Sequence, residues 1–246
     1  MDWLLPYDSA DGRVPTEPGI PRRLLRHLLR IGKISVGSRI LDAGCGRGEL
    51  TRFLSELAID ASGMDESAER IAAAQSAASH LDYACGRAAA GVPFPERQFH
   101  AVLARELPEH RGDLFDFPAL RASAHLLATI RPEGRLIILR RVDPAWASQP
   151  EGHLQTCYLR HLESLSGVAA VSYLADSLME ATTWKWMMGR QPRAGFMIAH
   201  FTVPVASRTR REWLQLADQA ALRRRQACCA WGAQAAETRA SFRASA

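Results

Sequence analysis

The 246-residue sequence predicts an α/β fold with a doubly wound, mostly parallel sheet of seven strands. Three observations predict it. Short apolar segments alternate with segments of helical periodicity, which is typical of parallel strands joined by helices. The first apolar segment ends in a glycine-rich turn, the kind of strand-to-helix turn at which α/β sheets bind ligands. The last two apolar segments are joined by a connection that we consider too short for a standard crossover, so the last strand is expected to be antiparallel.

The elements follow one another in a regular order. An amphipathic helix over Ile20–Ile31 comes first, because Leu24, Leu25, Leu28 and Leu29 share one face. Strands are expected at 38–42, 60–64, 81–84, 99–104 and 135–141, and then at Gly167–Leu174 and Gly195–Val203. Helices are expected at 48–57, 66–78, 119–130 and 153–165.

Length and composition agree with one main domain. We expect a domain over residues 1–206, with a lead and first helix over 1–32 and a core over 33–206, followed by a basic, helical tail over 207–246. The sequence has no run of 18 apolar residues, and its first residues lack the features of a secretory signal. The five cysteines have no metal-type spacing. We therefore expect a cytoplasmic protein with no membrane span and no metal site.

The glycine-rich turn is the first candidate binding site. The strand that contains Asp42 leads into Gly44, Cys45, Gly46 and Gly48, and a helix follows. Glycine at such a turn permits backbone angles and close approaches that a Cβ forbids. The dinucleotide pattern G-x-G-x-x-G does not fit, because its third glycine falls on a glutamate. An ordinary tight turn is the alternative, and this motif alone does not decide between them.

An acidic residue at the end of the second strand is the next candidate. Asp65 follows Gly44 by 21 residues, which is the spacing of a carboxylate that binds both ribose hydroxyls of a nucleoside. Asp65 also precedes a helix that begins near Glu66, so a helix cap is the structural alternative. The two roles are compatible, and we favour ribose binding.

Four segments together resemble the class I S-adenosylmethionine (SAM) dependent methyltransferases of the type 11 kind. Ile40–Leu50 resembles the D-x-G-x-G-x-G motif, and Ala61–Ser67 resembles the G-x-D-x-S motif. Tyr83–Leu103 is similar to the G-D-A…L-P-F-x-x-x-x-F-D-x-V segment, and Leu126–Leu139 is similar to L-R-P-G-G-x-L and the strand after it. They occur in the family's order and at its spacing.

The resemblance implies a Rossmann-like methyltransferase fold, SAM as the cofactor and methyl transfer as the reaction. Three residues depart from the family pattern: Arg87 replaces an acid that often binds the adenine amino group, His100 replaces an aspartate, and Glu133 replaces a glycine. An arginine has no acceptor, so only backbone groups near Arg87 can serve the base. The residues expected to contact SAM are Asp42, Gly44, Cys45, Gly46, Gly48, Asp65, Glu66, Gly86, Arg87, Ala88, Ala104 and Arg105.

Catalysis in such a protein is mostly positioning, and a general base is needed only where the acceptor must lose a proton. Glu106 and His110, after the fourth strand, are the candidate bases. A packed or surface histidine is the favoured alternative for His110, and a solvated carboxylate is an equal alternative for Glu106.

The acceptor is expected to be a small molecule that is methylated on oxygen, nitrogen or carbon. Trp146, Tyr158, His161 and the segment Trp184–Met188 are candidates to line an apolar or aromatic acceptor pocket. Packing of Trp184–Met188 against the last two strands is an equal alternative.

The basic tail raises the question of a nucleic-acid partner. Its arginines, among them Arg223–Arg225, are not interleaved with stacking aromatics, so we favour a solvated helix whose Trp213, Leu216 and Ala220 pack on the domain. An RNA methyltransferase is therefore the weaker alternative. A catalytically silent SAM-fold binding or scaffold protein is the main rival, and Arg87 and His100 favour it. The sequence leaves the oligomeric state open.

Overall fold

The structure is a computed structural model that describes residues 22–111, 114–142, 153–165, 168–175, 195–224 and 226. Several sequence-based predictions lie outside these ranges: the lead over 1–17, Trp146, the segment Trp184–Met188 and the tail beyond residue 226. The helix that contains Tyr158 is described, but the side chain of Tyr158 is not.

Seven strands form one sheet. Their bounds are β1 Arg39–Ala43, β2 Asp60–Asp65, β3 Asp82–Cys85, β4 Phe99–Arg105, β5 Ile130–Val142, β6 Val168–Ala175 and β7 Gly195–Thr202. The spatial order is β3-β2-β1-β4-β5-β7-β6. Strands β1 to β5 pair with one another in parallel, and β7 runs antiparallel to both of its neighbours, β5 and β6. The doubly wound sheet with an antiparallel last strand is confirmed.

Helices cover both faces of this sheet. They are α1 Arg22–Ile31, α2 Glu49–Glu56, α3 Ala68–Ala77, α4 Phe117–Ala128, α5 His153–Glu163 and α6 over residues 210–224, with a 3₁₀ turn at Pro108–His110. Helix α4 begins two residues before the predicted start, because Asp116 is its N-cap and proline occupies its first turn. Strand β5 also begins early, since Ile130 pairs with Phe99 before regular pairing resumes at Arg135.

Two apolar layers hold the sheet. On one face, α4 and α6 bury Leu120 and Trp213 against Phe201 of β7. On the other face, α1 and α2 bury Leu24 and Leu50. Trp213 is fully buried, with its ring centroid 6.1 Å from that of Phe201, so the first part of the basic tail packs into the core as the sequence indicated.

The strand order also determines where a ligand can enter. The chain winds outward from β1 to β2 and β3, then returns to β4 on the other side of β1. A crevice opens between the carboxyl ends of β1 and β4 at such a reversal of strand order. Within the described ranges, no helix is both long and apolar enough to cross a bilayer.

Candidate functional site

A cavity of about 220 Å³ lies at the carboxyl edge of the sheet, at the crevice beside β1. Segments after four neighbouring strands form its walls. Its lining residues are Gly44, Met64, Asp65, Glu66, Arg70, Gly86, Arg87, Ala88, Arg105, Glu106, Leu107, Pro108, Glu109 and Arg111. Eight of the residues that the sequence singled out are among them: Gly44, Asp65, Glu66, Gly86, Arg87, Ala88, Arg105 and Glu106.

Gly44 is where the backbones of three strand ends meet. Its φ is +84°, and its amide donates a 2.7 Å hydrogen bond to the carbonyl of Met64. A Cβ on Gly44 would lie 2.2 Å from the carbonyl oxygen of Arg105, which no real contact allows. A side chain here would therefore push β4 away from β1 and deform the crevice.

Gly46 meets the requirements for a close approach by a ligand. Its φ is +59°, and its amide donates a 3.0 Å hydrogen bond to Oδ2 of Asp65. A Cβ on Gly46 would find no heavy atom within 4 Å, so the turn leaves open space beside this backbone. That open space is the observation by which the glycine turn fits the SAM implied by the resemblance.

Cys45 and Gly48 support the turn from behind, and neither they nor Gly46 are among the residues that line the cavity. Burial raises the pKa of the Cys45 thiol, and the nearby Asp42 and Asp65 carboxylates raise it further. The thiol therefore stays neutral and does not act as a nucleophile. Gly48 is required by Tyr83, because a Cβ here would lie 2.5 Å from the hydroxyl oxygen of that side chain and 2.8 Å from its ring. No local pattern in the sequence indicated a role for this buried tyrosine.

Asp42 does not reach the cavity directly. Its side chain is fully buried, and Arg105 donates to it through both Nε, at 2.6 Å to Oδ1, and Nη2, at 2.9 Å to Oδ2. The hydroxyl of Thr51 donates to the same Oδ2 at 3.0 Å. Asp42 was expected to contact SAM, but in the structure it instead binds a second expected residue, Arg105, which does line the cavity.

Asp65 lies at the cavity wall with three partners. The amides of Gly46 and Ser67 donate to its two oxygens, at 3.0 and 2.9 Å, and Nη2 of Arg70 lies 3.0 Å from Oδ1. Ser67 caps α3 by accepting from the amide of Arg70, so the predicted cap belongs to Ser67. An ionised carboxylate has about four acceptor positions, so these three donors leave Asp65 about one position for a ribose hydroxyl.

Arg87 has an acidic partner that the sequence did not reveal. Its Nε lies 3.1 Å from Oε1 of Glu109, a side chain that is 1% exposed, and the amide of Ala89 donates to the same oxygen at 3.3 Å. Glu66 lies more loosely at 4.0 Å from Arg87. The family acid that Arg87 replaces thus has a counterpart on the 3₁₀ turn. A search for an acid to pair with Arg87 could have found Glu109.

Glu106 is held in an unusual conformation at the cavity wall. It directly follows β4 with φ +49°, in the left-handed region that side-chain-bearing residues rarely adopt. Its amide donates to the carbonyl of Leu139, and its carboxylate accepts from the amide of Arg141. Such strain persists where the surroundings enforce it, and functional sites are where it clusters.

His110, the other candidate base, lies in the core and not at the cavity. It is 2% exposed, and its Nε2 lies 3.1 Å from the hydroxyl of Ser123, which lies 2.8 Å from Nε2 of His161. Nδ1 of His161 lies 2.6 Å from the carbonyl of Leu114. Burial, together with the nearby His161 and Arg140, lowers the pKa of His110 to about 3. This geometry corresponds to the packed histidine of the structural alternative.

Two more of the singled-out residues lie away from the cavity. The side chain of Ala104 is fully buried within β4. His100 lies near the start of β4, at the opposite edge of the sheet, where its Nδ1 accepts from the amide of Arg39 at 3.0 Å. The departure from the family pattern at His100 therefore does not alter the cavity.

Comparison with known families points to the same part of the chain. Residues 40–134 match a family described as "Methyltransferase domain". The ubiquinone biosynthesis O-methyltransferase of Bradyrhizobium diazoefficiens is 38% identical over 116 residues, which cover 46% of this chain and 43% of that protein. Its counterpart from Azorhizobium caulinodans is 37% identical over 106 residues, covering 42% and 40%. The chain thus matches less than half the length of these relatives.

Solved structures share the fold at low sequence identity. A SAM-dependent methyltransferase from Mesorhizobium loti matches with a TM-score of 0.52 and 15% identity, over 68% of this chain and 91% of the other. The [4+2]-cyclase SpnF matches with a TM-score of 0.55 and 19% identity, over 75% and 82%. Because a cyclase shares the fold, the fold alone does not identify the reaction.

Proposed function

We infer that this chain is a class I SAM-dependent methyltransferase that transfers the methyl group of SAM to a small molecule by in-line displacement. One observation carries the inference. At the reversal of strand order, the carboxylate of Asp65 lines the cavity and accepts a 3.0 Å hydrogen bond from the amide of Gly46, a residue with open space beside its backbone. A nucleoside with a chain at its 5′ position fits that combination.

The cofactor supplies a methyl group on a sulfonium, which needs no further activation. The protein binds the cofactor and orients its methyl group toward the acceptor. Asp65 would bind the ribose hydroxyls, and Gly86 and Ala88 would offer backbone groups to the base. Gly44 allows the glycine turn and β4 to approach closely enough to exclude water from the bound sulfonium.

Glu106 is the residue that we propose for accepting a proton from the acceptor. It lines the cavity, it directly follows β4, and its left-handed backbone fixes the direction in which its side chain leaves the strand. A carboxylate can act as a general base when the substrate atom comes within hydrogen-bond reach. His110 remains a sequence-based candidate only, since it does not line the cavity.

We propose an oxygen acceptor ahead of nitrogen or carbon. The support is that the matched relatives are named ubiquinone biosynthesis O-methyltransferases. A hydroxyl acceptor must lose its proton during transfer, so it also gives the carboxylate of Glu106 a task.

Methyl transfer can be tested with SAM that carries an isotopically labelled methyl group. The parent protein should bind SAM by calorimetry and move the label into a small molecule of a metabolite extract. Asp65→Ala should weaken SAM binding by about 10- to 100-fold, since a charge-assisted hydrogen bond to the ribose is lost. Asp60→Ala, at the other end of β2, is the matched control and should bind SAM as the parent does. Equal SAM affinity in Asp65→Ala and the parent would contradict the proposed site.

A silent binding protein is the second candidate function, and Arg70 is the observation that favours it. Its guanidinium lies 3.0 Å from the carboxylate that ribose would use, so the site already has an internal partner. SAM binding without transfer of the labelled methyl group to any fraction of the extract would support this candidate over methyl transfer.

A further inference from the structure

We propose that Arg105 is the residue that selects the amino-acid end of the cofactor, by binding the carboxylate of the methionine part of SAM. Asp42 is then the anchor of Arg105 and not itself a contact of the cofactor. This proposal rests on the proposed function, and it deepens it by naming which side chain recognises which part of the ligand.

The position of Arg105 in the fold brings it to the candidate cofactor site. It ends β4 next to β1, so it lies at the crevice where the strand order reverses. Its carbonyl oxygen is the atom that a Cβ on Gly44 would strike, so its backbone lies directly against the glycine turn. Its side chain is 16% exposed and lines the cavity.

The guanidinium of Arg105 is held rigidly by its hydrogen bonds. Two parallel hydrogen bonds to Asp42 fix the plane of the guanidinium, and Nη2 also lies 3.5 Å from the carbonyl of Cys45. Thr51 in turn holds Asp42 at 3.0 Å. A planar cation that is fixed by a buried carboxylate is suited to recognise a second carboxylate, because little side-chain freedom is lost on binding.

The charged side chains around the cavity are arranged in pairs. The acids that line it have arginine or backbone partners: Asp65 lies beside Arg70, and Glu109 lies beside Arg87. Glu106 accepts from the backbone amide of Arg141. Arg105 lies with its backbone against the glycine turn and its side chain at the cavity. A ligand carboxylate there would meet the guanidinium of the Arg105–Asp42 pair, which is fixed in place.

The test compares two ligands that differ only in the carboxylate: SAM and decarboxylated SAM, each titrated by calorimetry into the full chain. The parent should bind SAM about 10- to 100-fold more tightly than decarboxylated SAM. In Arg105→Gln, this ratio of dissociation constants should fall close to one, while decarboxylated SAM binds about as in the parent. In Arg105→Lys, which keeps the charge and loses the fork, the ratio should be intermediate.

A purely structural role for Arg105 would give a different pattern, since both ligands would then lose affinity together and the ratio would stay at the parental value. That result, or a ratio near one in the parent, would overturn the proposal. Arg39→Gln is the matched control, because Arg39 makes a similar pair with Asp60 at the other end of β1 and should leave the ratio unchanged.

A second variant serves as a control for loss of folding in Arg105→Gln. If Arg105→Gln alone does not fold, because Asp42 is left buried and unpaired, Asp42→Asn with Arg105→Gln removes both charges and the same ratio is measured. The parental ratio needs no variant and by itself can overturn the proposal. Absence of binding of both ligands to the parent would instead reject the proposed function, so the two failures are distinguishable.

Discussion

Strand β1 carries an ion pair at each of its ends, and the two pairs differ in burial and not in length. At the carboxyl end, Arg105 and Asp42 lie 2.6 Å apart, with side chains 16% and 0% exposed. At the amino end, Arg39 and Asp60 lie 2.7 Å apart, with side chains 47% and 55% exposed. A hydrogen-bond distance therefore says little about what each pair contributes.

The difference shows at which edge of the sheet charged side chains are held in buried positions. An exposed pair is screened by water and contributes about 0–1 kcal/mol, whereas removal of one partner from a buried pair leaves an uncompensated charge. The amino edge is thus a solvated surface on which substitutions have small effects. The carboxyl edge contains buried or half-buried ionic groups, and these surround the proposed cofactor site.

The largest expected effect on stability comes from breaking the buried pair. Asp42→Ala should lower the free energy of unfolding by about 3–5 kcal/mol, because Arg105 loses its anchor in a mostly buried position. Urea denaturation measures it. Asp60→Ala, the control at the amino end, should cost less than about 1 kcal/mol. Similar losses in the two variants would show that burial does not separate the two edges.

The next effect compares two glycines with left-handed backbones. Gly44→Ala should destabilise the fold by about 2–5 kcal/mol, since the new Cβ adds a collision with the carbonyl of Arg105 to the backbone strain. Gly37, before β1 at the amino edge, has φ +75° and open space around its missing Cβ. Gly37→Ala should therefore cost only about 1 kcal/mol. Thermal melts of the two variants check this, and equal shifts would count against a collision at Gly44.

The third effect is a dependence on pH. The buried His110, whose pKa is lowered to about 3, stays neutral while the unfolded chain binds a proton below its ordinary pKa. Its contribution to stability is therefore complete above about pH 6.5 and is lost as the pH falls from there toward 3. Between pH 7.5 and 5 the parent should lose about 2 kcal/mol through this group.

His110→Gln isolates that contribution in urea titrations at several pH values. The variant should be less stable at neutral pH, because the contact with Ser123 changes, but its stability should depend less on pH than that of the parent. At the amino edge, His100→Gln is the comparison: burial and Arg131 lower the pKa of His100, but this ring is only half-buried, so the change in pH dependence should be smaller. An unchanged pH profile in His110→Gln would refute the buried-histidine explanation.

The smallest effect concerns an exposed arginine at the buried edge. Arg70 is 46% exposed, so Arg70→Ala should change stability by less than about 0.5 kcal/mol. It should nevertheless strengthen SAM binding by about 2- to 5-fold, because Oδ1 of Asp65 loses a competing partner. Calorimetry with SAM measures it, and Arg39→Ala should bind SAM as the parent does. Weaker binding in Arg70→Ala would mean that Arg70 supports the ligand.

Local patterns in the sequence determined the order of strands and helices and the position of the glycine turn. The apolar run around Ile40 and Leu41 and the periodic segment after Gly48 depend on neighbours in the chain, so they can be interpreted without a structure. The same holds for Asp65, whose distance along the chain from Gly44 places it at the end of the next strand. Trp213 was also expected to pack on the domain, and it is fully buried.

Only the tertiary structure decided which charges meet. Asp42 and Arg105 are 63 positions apart, and Arg87 and Glu109 are 22 apart, so no local spacing predicts either pair. The same is true of His110, which sequence reasoning kept as a candidate base and which the 3₁₀ turn, α4 and α5 enclose together. Burial and ion pairing depend on atoms brought together by strands and helices distant in the chain, and those properties set the role of each charged group.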